Sequence, residues 1–244
     1  MPKLLQQTKR YGLARVLSKM GLASRTEAAR LIEAGSVHVN GRVIRDPEFP
    51  VLMNVDTVSI DGAIAKHAVF HALMLNKPRG MVTTRSDEKQ RATVYDCLPG
   101  IMPWMSPIGR LDKASEGLLL FCNDPKWASI ITDPETGPDK TYHVQINTLP
   151  DSDLIQSMQS GIETDLGFLS AKHIALLRCG EKNAWLEITL DEGRNRQIRR
   201  LLEAFDIEVL RLIRTAIGGL KLGDLPKGQC RELTESDLLL LNHF

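Results

Sequence analysis

The chain has 244 residues, a formal net charge of +1, 43% apolar and 25% charged side chains, the make-up of an ordinary globular protein. No window approaches the ~20 continuous apolar residues of a membrane helix, and the N-terminal MPKLLQQTKRYG has no apolar secretion core. The four cysteines and six histidines are scattered with no metal-ligand spacing. These features argue against a membrane, exported or metal-dependent protein, and a cytoplasmic chain with reduced thiols is expected.

The charge is uneven. Residues 1–66 carry 10 basic and 6 acidic side chains, the remainder 21 and 24, so the N-terminal part is the basic one. A first helix is expected from Leu13 to Met20, stopped by Gly21. Ser24 and Glu27 then have the S-x-x-E spacing that satisfies the free amides of a second helix, and this helix runs to Ala34 before Gly35. Val37 and Val39 alternate with Ser36 and His38, and Asn40-Gly41 before Val43-Ile44 marks a hairpin. Lys19, Arg25 and Arg30 are expected to share an outer face that suits phosphates, although on charge alone a plain solvated surface is the favoured reading. The stretch RVLSKMGLASRTEAARLIEAGSVHVNGRVI resembles the S-four-type RNA-binding module, over residues 10–62. That resemblance implies a ligand class, structured RNA, and no reaction.

After a linker at 61–69 the texture changes. HALMLNKPRGMVTT begins as a buried strand, turns at Lys77-Pro78-Arg79-Gly80 and resumes in β-branched residues. Further strands are expected at Gly117 to Phe121, Thr141 to Ile146 and Ala184 to Leu190. Helices are expected at Arg194 to Phe205 and after the start signal Thr234-x-x-Asp237. Strands outnumber helices without regular alternation, which predicts an α+β domain over 69–244 with a mixed, mostly antiparallel central sheet.

Phosphate-loop and dinucleotide-binding glycine patterns are missing, and Ser115 lacks the glycine frame of a hydrolase nucleophile. Asp112 and Glu116 are a carboxylate pair of the kind glycoside hydrolysis uses, but pairs four residues apart are common by chance. Asp112 itself, in GRLDKASEGLLLFCND, lies between Arg110 and a turn before a buried strand. In that setting an aspartate most often caps the turn; beside a basic residue it also fits a nucleic-acid site. Tyr142, in KTYHV, reads equally as a half-buried core aromatic. Arg194, Arg196, Arg199 and Arg200 crowd around Ile198, suited to phosphate contact or to pairing with Asp191, Glu192 and Glu203.

Five stretches in order, LNKPRG, GRLDKASEGLLL, KTYHV, EGRNRQIRR and GGLKLGDLPKGQCREL, resemble the pseudouridine synthases of ribosomal RNA that carry an S-four-type module ahead of the catalytic domain. The resemblance implies that Asp112 is the nucleophilic carboxylate. It implies that Tyr142 stacks on the target uracil and is a candidate general base, that Arg199 pairs with the aspartate, and that Ile198 packs under the ring. Arg110 matches the arginine that takes the place of the flipped-out nucleotide. Arg194 and Arg196, with Lys19, Arg25 and Arg30, are expected to bind RNA. Ser115 and Cys122 stand where threonine is frequent in the family. The reaction it implies is redox-neutral and needs no cofactor. The expected partner is ribosomal RNA or an assembling subunit, large-subunit RNA being favoured, and the expected state is a monomer. A non-catalytic RNA-binding or ribosome-assembly factor on the same fold is the alternative.

Overall fold

The computed structural model describes residues 9–53, 55–100, 103–165 and 167–242. Among these the chain divides into two compact units, 9–71 with 103–106 and 122–127, and 72–100 with 107–121 and 128–242.

The first unit contains β1 (Arg10–Gly12), α1 (Leu13–Lys19), α2 (Arg25–Ala34), β2 (Val37–Val39), β3 (Arg42–Val43), β4 (Pro50–Leu52), β5 (Val58–Ile60) and β6 (Ala63–Ile64). Ser24 Oγ accepts the Glu27 amide at 3.0 Å to start α2, and Gly35 ends it in the left-handed conformation, φ +86°. The Glu27 carboxylate turns to Arg30, 3.7 Å away. Asn40 and Gly41 both have positive φ, the geometry that lets a two-residue turn follow strand twist between β2 and β3. The Asn40 side chain also donates to Asp56 and accepts from the Thr57 amide, each at 2.9 Å, which ties the hairpin to β5. Leu13, Leu17, Ala28, Ile32 and Val37 are fully buried at the centre of its core.

Lys19, Arg25 and Arg30 are all exposed, and Lys19 Nζ lies 3.9 Å from the centre of the Tyr11 ring. Arg25 and Arg30 are five residues apart on α2, which at 3.6 residues per turn separates them by about 140° around the axis.

From residue 72 on, the chain forms β7 (Ala72–Lys77), β8 (Ser106–Ile108), β9 (Glu116–Cys122), α3 (Pro125–Ile131), β10 (Lys140–Ile146), α4 (Ser152–Ser160), β11 (His173–Cys179), β12 (Ala184–Leu190), α5 (Gln197–Glu203), β13 (Val209–Ile217), β14 (Leu220–Lys221), β15 (Cys230–Glu232) and α6 (Glu235–Asn242). The strands form one sheet in the order β11-β12-β10-β13-β9-β7-β15, with β14 beside β13 and β8 beside β9. Pairing is antiparallel from β11 through β12 and β10 to β13, and parallel between β13 and β9. The fold is therefore α+β with a mixed, mostly antiparallel sheet.

Every residue of β7 and β9 is buried, as expected of strands covered on both faces. In β10, by contrast, Tyr142, Val144 and Ile146 are buried while the residues between them are half-exposed. At Gly117 the backbones of β9 and β13 come close together. The φ of this glycine is +100°, and a Cβ there would stand 2.2 Å from the Arg214 carbonyl oxygen, so only glycine lets β9 and β13 meet.

The helix expected from Arg194 is shorter, beginning at Gln197, because Arg196 takes a left-handed conformation at φ 51°. At the other end, Asp237 accepts from the Thr234 amide at 2.8 Å while Thr234 Oγ1 accepts from the Asp237 amide at 3.2 Å. This reciprocal cap starts α6 where the sequence spacing placed it.

Candidate active site

A cleft of about 630 Å³ opens in the second unit, walled by the loop before β9, the start of β10, the loop leading into α5, and β13. The loop before β9 carries Asp112, and its main chain is fixed by a buried lysine. Lys77, at the end of β7, has no exposed surface. Its Nζ donates to the carbonyls of Asp112 (3.1 Å), Ser115 (2.9 Å) and Pro78 (3.1 Å). Burial holds Lys77 down at about 8, with Asp112 and Glu116 opposing that shift. Thr83 Oγ1 donates to the Leu111 carbonyl at 2.8 Å, the Gly80 amide donates to Lys113 at 2.7 Å, and the Ser115 amide closes the turn onto Asp112 at 3.0 Å. With its backbone held from several sides, the Asp112 side chain is left 39% exposed, facing the cleft.

The other carboxylate of the motif has a different environment. Glu116 is buried and receives Arg211 through two bonds, 2.7 and 3.0 Å, and Lys227 at 2.6 Å. The Arg211 hydrogen bond, with Lys227 adding to it, holds its carboxyl down at about 2 against the opposing effect of burial. Two charge-assisted partners keep Glu116 ionised and occupied, so it joins β9 to β13, while Asp112 is the carboxylate of the motif that lines the cleft.

Tyr142 lines the cleft from β10, 8% exposed, opposite Ile188 of β12 and Arg214 of β13. Ile198, 3% exposed, comes in from the first turn of α5. Arg110 is exposed at the cleft edge. The structure thus brings Asp112, Tyr142, Ile198, Arg110, Arg194, Arg196 and Arg199 around one opening, although they come from segments far apart in the chain.

The ion pair is not the one expected. Arg196, not Arg199, reaches Asp112, with Nη1 3.4 Å from Oδ2. The left-handed backbone at Arg196 places this residue ahead of the helix, beside the Asp112 turn. Arg199 sits one turn later, and its Nη1 donates to the Val209 carbonyl at 3.2 Å while its Nε is buried without a partner. Burial, and then the charge of Arg196, lowers the Arg199 pKa, with Asp112 opposing; Arg199 therefore feels the carboxylate without touching it. Arg194 is engaged by Glu192 at 2.9 Å and by the Phe168 carbonyl at 2.8 Å. Gln197 supports this loop, accepting from the Arg194 amide at 3.1 Å and donating to Glu192 at 3.0 Å.

Lys77, Thr83 and Arg214 were not singled out from sequence. Lys77 offered a signal, a lysine closing an unbroken apolar run before Pro78, but it reads as an exposed turn residue unless the following loop is known to fold back. Among the described residues, no three His, Cys, Asp or Glu side chains gather to hold a metal ion, and no helix is long and apolar enough to cross a membrane.

Residues 71–204 match the family model described as RNA pseudouridylate synthase, and residues 12–56 match the S4 domain. An RNA pseudouridine synthase of Aquifex aeolicus is 39% identical over 227 residues, covering 92% of this chain and 91% of its own. The ribosomal large subunit pseudouridine synthase B of Bacillus subtilis is 34% identical over 228 residues, covering 93% of each. A crystal structure of a pseudouridylate synthase superposes with a TM-score of 0.67 at 26% identity, covering 95% of this chain and 99% of that one.

Proposed function

The chain belongs to the RNA pseudouridine synthase family, and from that premise we propose that it converts a specific uridine of large-subunit ribosomal RNA to pseudouridine, with Asp112 as nucleophile. The observation that carries this reading is an exposed carboxylate on a stiffened turn, facing a cleft that also presents Tyr142 and Ile198. We assign RNA recognition to residues 10–62 and catalysis to 69–244. The name of the Bacillus subtilis relative supports the choice of large-subunit RNA.

The isomerisation breaks the bond between the sugar and uracil N1, turns the ring and joins C5 to the same sugar carbon. The target must first leave its stack, at a cost of a few kcal/mol. Phosphate contacts from the exposed arginines, and Arg110 in the vacated place, offset that cost. The uracil then lies between Tyr142 and Ile198. Asp112 attacks as a carboxylate, with the Arg196 guanidinium 3.4 Å away. Tyr142 is the group in the cleft suited to take up the proton displaced from the new carbon–carbon bond.

Tritium release from ribosomal RNA labelled at uracil C5 tests the proposal. Release by the wild type and its loss in Asp112→Asn, with RNA affinity kept, is the expected outcome. If Asp112→Asn behaved like the wild type throughout, the chain would instead be a binding or assembly factor on this fold. Mapping pseudouridines in ribosomal RNA from cells with and without the protein identifies the target.

A further inference from the structure

Arg214 of β13 reaches the same cleft with only 6% of its surface exposed. Its Nε donates to the Leu118 carbonyl at 2.7 Å, and its Nη2 is buried with no partner among the described residues. A buried guanidinium held by one neutral acceptor is under-satisfied, and such a group calls for an explanation. Its surroundings suggest one. Tyr142 lies directly across on β10, and Leu190, Ile198, Leu212 and Ile217 supply apolar wall. Lys140, on the same cleft, is held below its ordinary range by burial and by the charge of Arg214, so positive charge is concentrated here. A flat heterocycle with carbonyl oxygens fits an apolar slot with one buried fork of donors, whereas a phosphate stays with its backbone at the rim.

We propose that Arg214 binds the carbonyl edge of the flipped uracil and stabilises the negative charge the ring acquires during the isomerisation. This rests on the reading of the chain as a uridine-to-pseudouridine enzyme. The requirement holds for either point of attack by Asp112. Attack at the sugar carbon forms a C–O bond, breaks the bond to N1 and leaves its electron pair on the ring, spread over N1, O2 and O4. Addition to ring carbon C6 forms a C–O bond there and pushes the ring π pair through C5 onto O4, and the bond between N1 and the sugar then breaks with its pair kept by N1. In both routes the pair later forms the C5–sugar bond, the Asp112 carboxylate departs with its own electrons, C5 gives up its proton and N1 gains one. A preorganised donor aimed at such charge in a dry site acts mainly on the chemical step.

The test is single-turnover tritium release, and product formation, on a transcript of large-subunit ribosomal RNA whose target uridine has first been located with the wild type. Arg214→Met and Arg214→Lys are compared with the wild type on uridine, 2-thiouridine and 4-thiouridine placed at that position, sulfur being a weak acceptor. The variants are expected to slow the uridine reaction about 100-fold while RNA affinity changes less than about twofold. Sulfur at the carbonyl Arg214 holds should slow the wild type and slow the variants no further. Arg214→Lys carries the comparison if Arg214→Met does not fold. Equal sulfur penalties in wild type and variant overturn the proposal. So does weaker binding with a shallower salt dependence and an unchanged single-turnover rate, which would put a phosphate at Arg214. A wild type indifferent to sulfur at both positions overturns it whatever the variants do. Failure of the wild type on every ribosomal RNA would instead remove the proposed function itself.

Discussion

The two sides of the cleft are held in opposite ways. On the Asp112 side the backbone is fixed by the buried Lys77 and by Thr83, through bonds to carbonyls of residues 111, 112 and 115. On the arginine side, Arg194 and Arg196 are exposed and bond the side chains of Glu192 and Asp112. Bonds of the second kind contribute ~0–1 kcal/mol each in water and exchange readily for phosphate oxygens. The difference teaches a division of labour: the fold places the Asp112 carboxylate, the proposed nucleophile, and leaves the cations free to meet the proposed RNA substrate.

Asp112→Asn puts this division to its hardest test. Tritium release should fall by at least about 10³-fold, while the urea midpoint stays put, because among the described residues the carboxylate pairs only with Arg196, at 3.4 Å. A large stability loss would mean that Asp112 is the turn cap its local sequence suggests. Lys77→Met is expected to cost about 3 kcal/mol by leaving three carbonyls without their charged donor, read from urea unfolding, and to lower kcat with it. A cost under about 1 kcal/mol would show that the Asp112 turn is not held from beneath.

Glu116→Gln follows, at about 2 kcal/mol near neutral pH. The Glu116 carboxyl is held at about 2 in the fold against an ordinary 4.5. Its stabilisation is therefore complete above pH 4.5 and lost as the pH falls from there through 2. Urea midpoints of wild type and variant should converge over that window; a constant gap would assign the difference to shape and not to charge. Arg196→Ala is expected to be the mildest, under about 0.5 kcal/mol in stability and at most about tenfold in tritium release. A loss as large as that of Asp112→Asn would make Arg196 a fixed part of the chemistry.

Features whose physics is local were legible in the amino-acid sequence. The Ser24 cap, the Gly35 stop, the Asn40-Gly41 hairpin and the Thr234 start each depend on two to four adjacent residues, and each stands where the spacing puts it. Strands β10 and β12 were visible through alternation. Strand β13 was not, since VLRLIRTAI interleaves arginines with apolar residues and its partners lie far off in sequence. The same limit governs the site. Asp112, Tyr142 and the arginine cluster stood out through motif resemblance, and they line one cleft. Which arginine meets Asp112 depends on the backbone at Arg196, and a left-handed arginine leaves no mark in composition. Lys77 and Arg214 escaped notice because a buried cation is unexpected until its acceptors, supplied by distant segments, are in place.

Gly117 has a consequence for how the protein comes into being. It admits the parallel pairing of β9 with β13, and the bond from Arg214 to Leu118 spans 96 residues. Closing a loop of that length costs chain entropy that local contacts do not repay until the strands meet. The turn bearing Asp112 and the strand bearing Arg214 therefore come together late, after the hairpins between them have formed. Until β9 and β13 pair, the Asp112 turn and Arg214 have nothing to hold them to one cleft, so reactivity toward RNA is expected to appear only with the last long-range pairing.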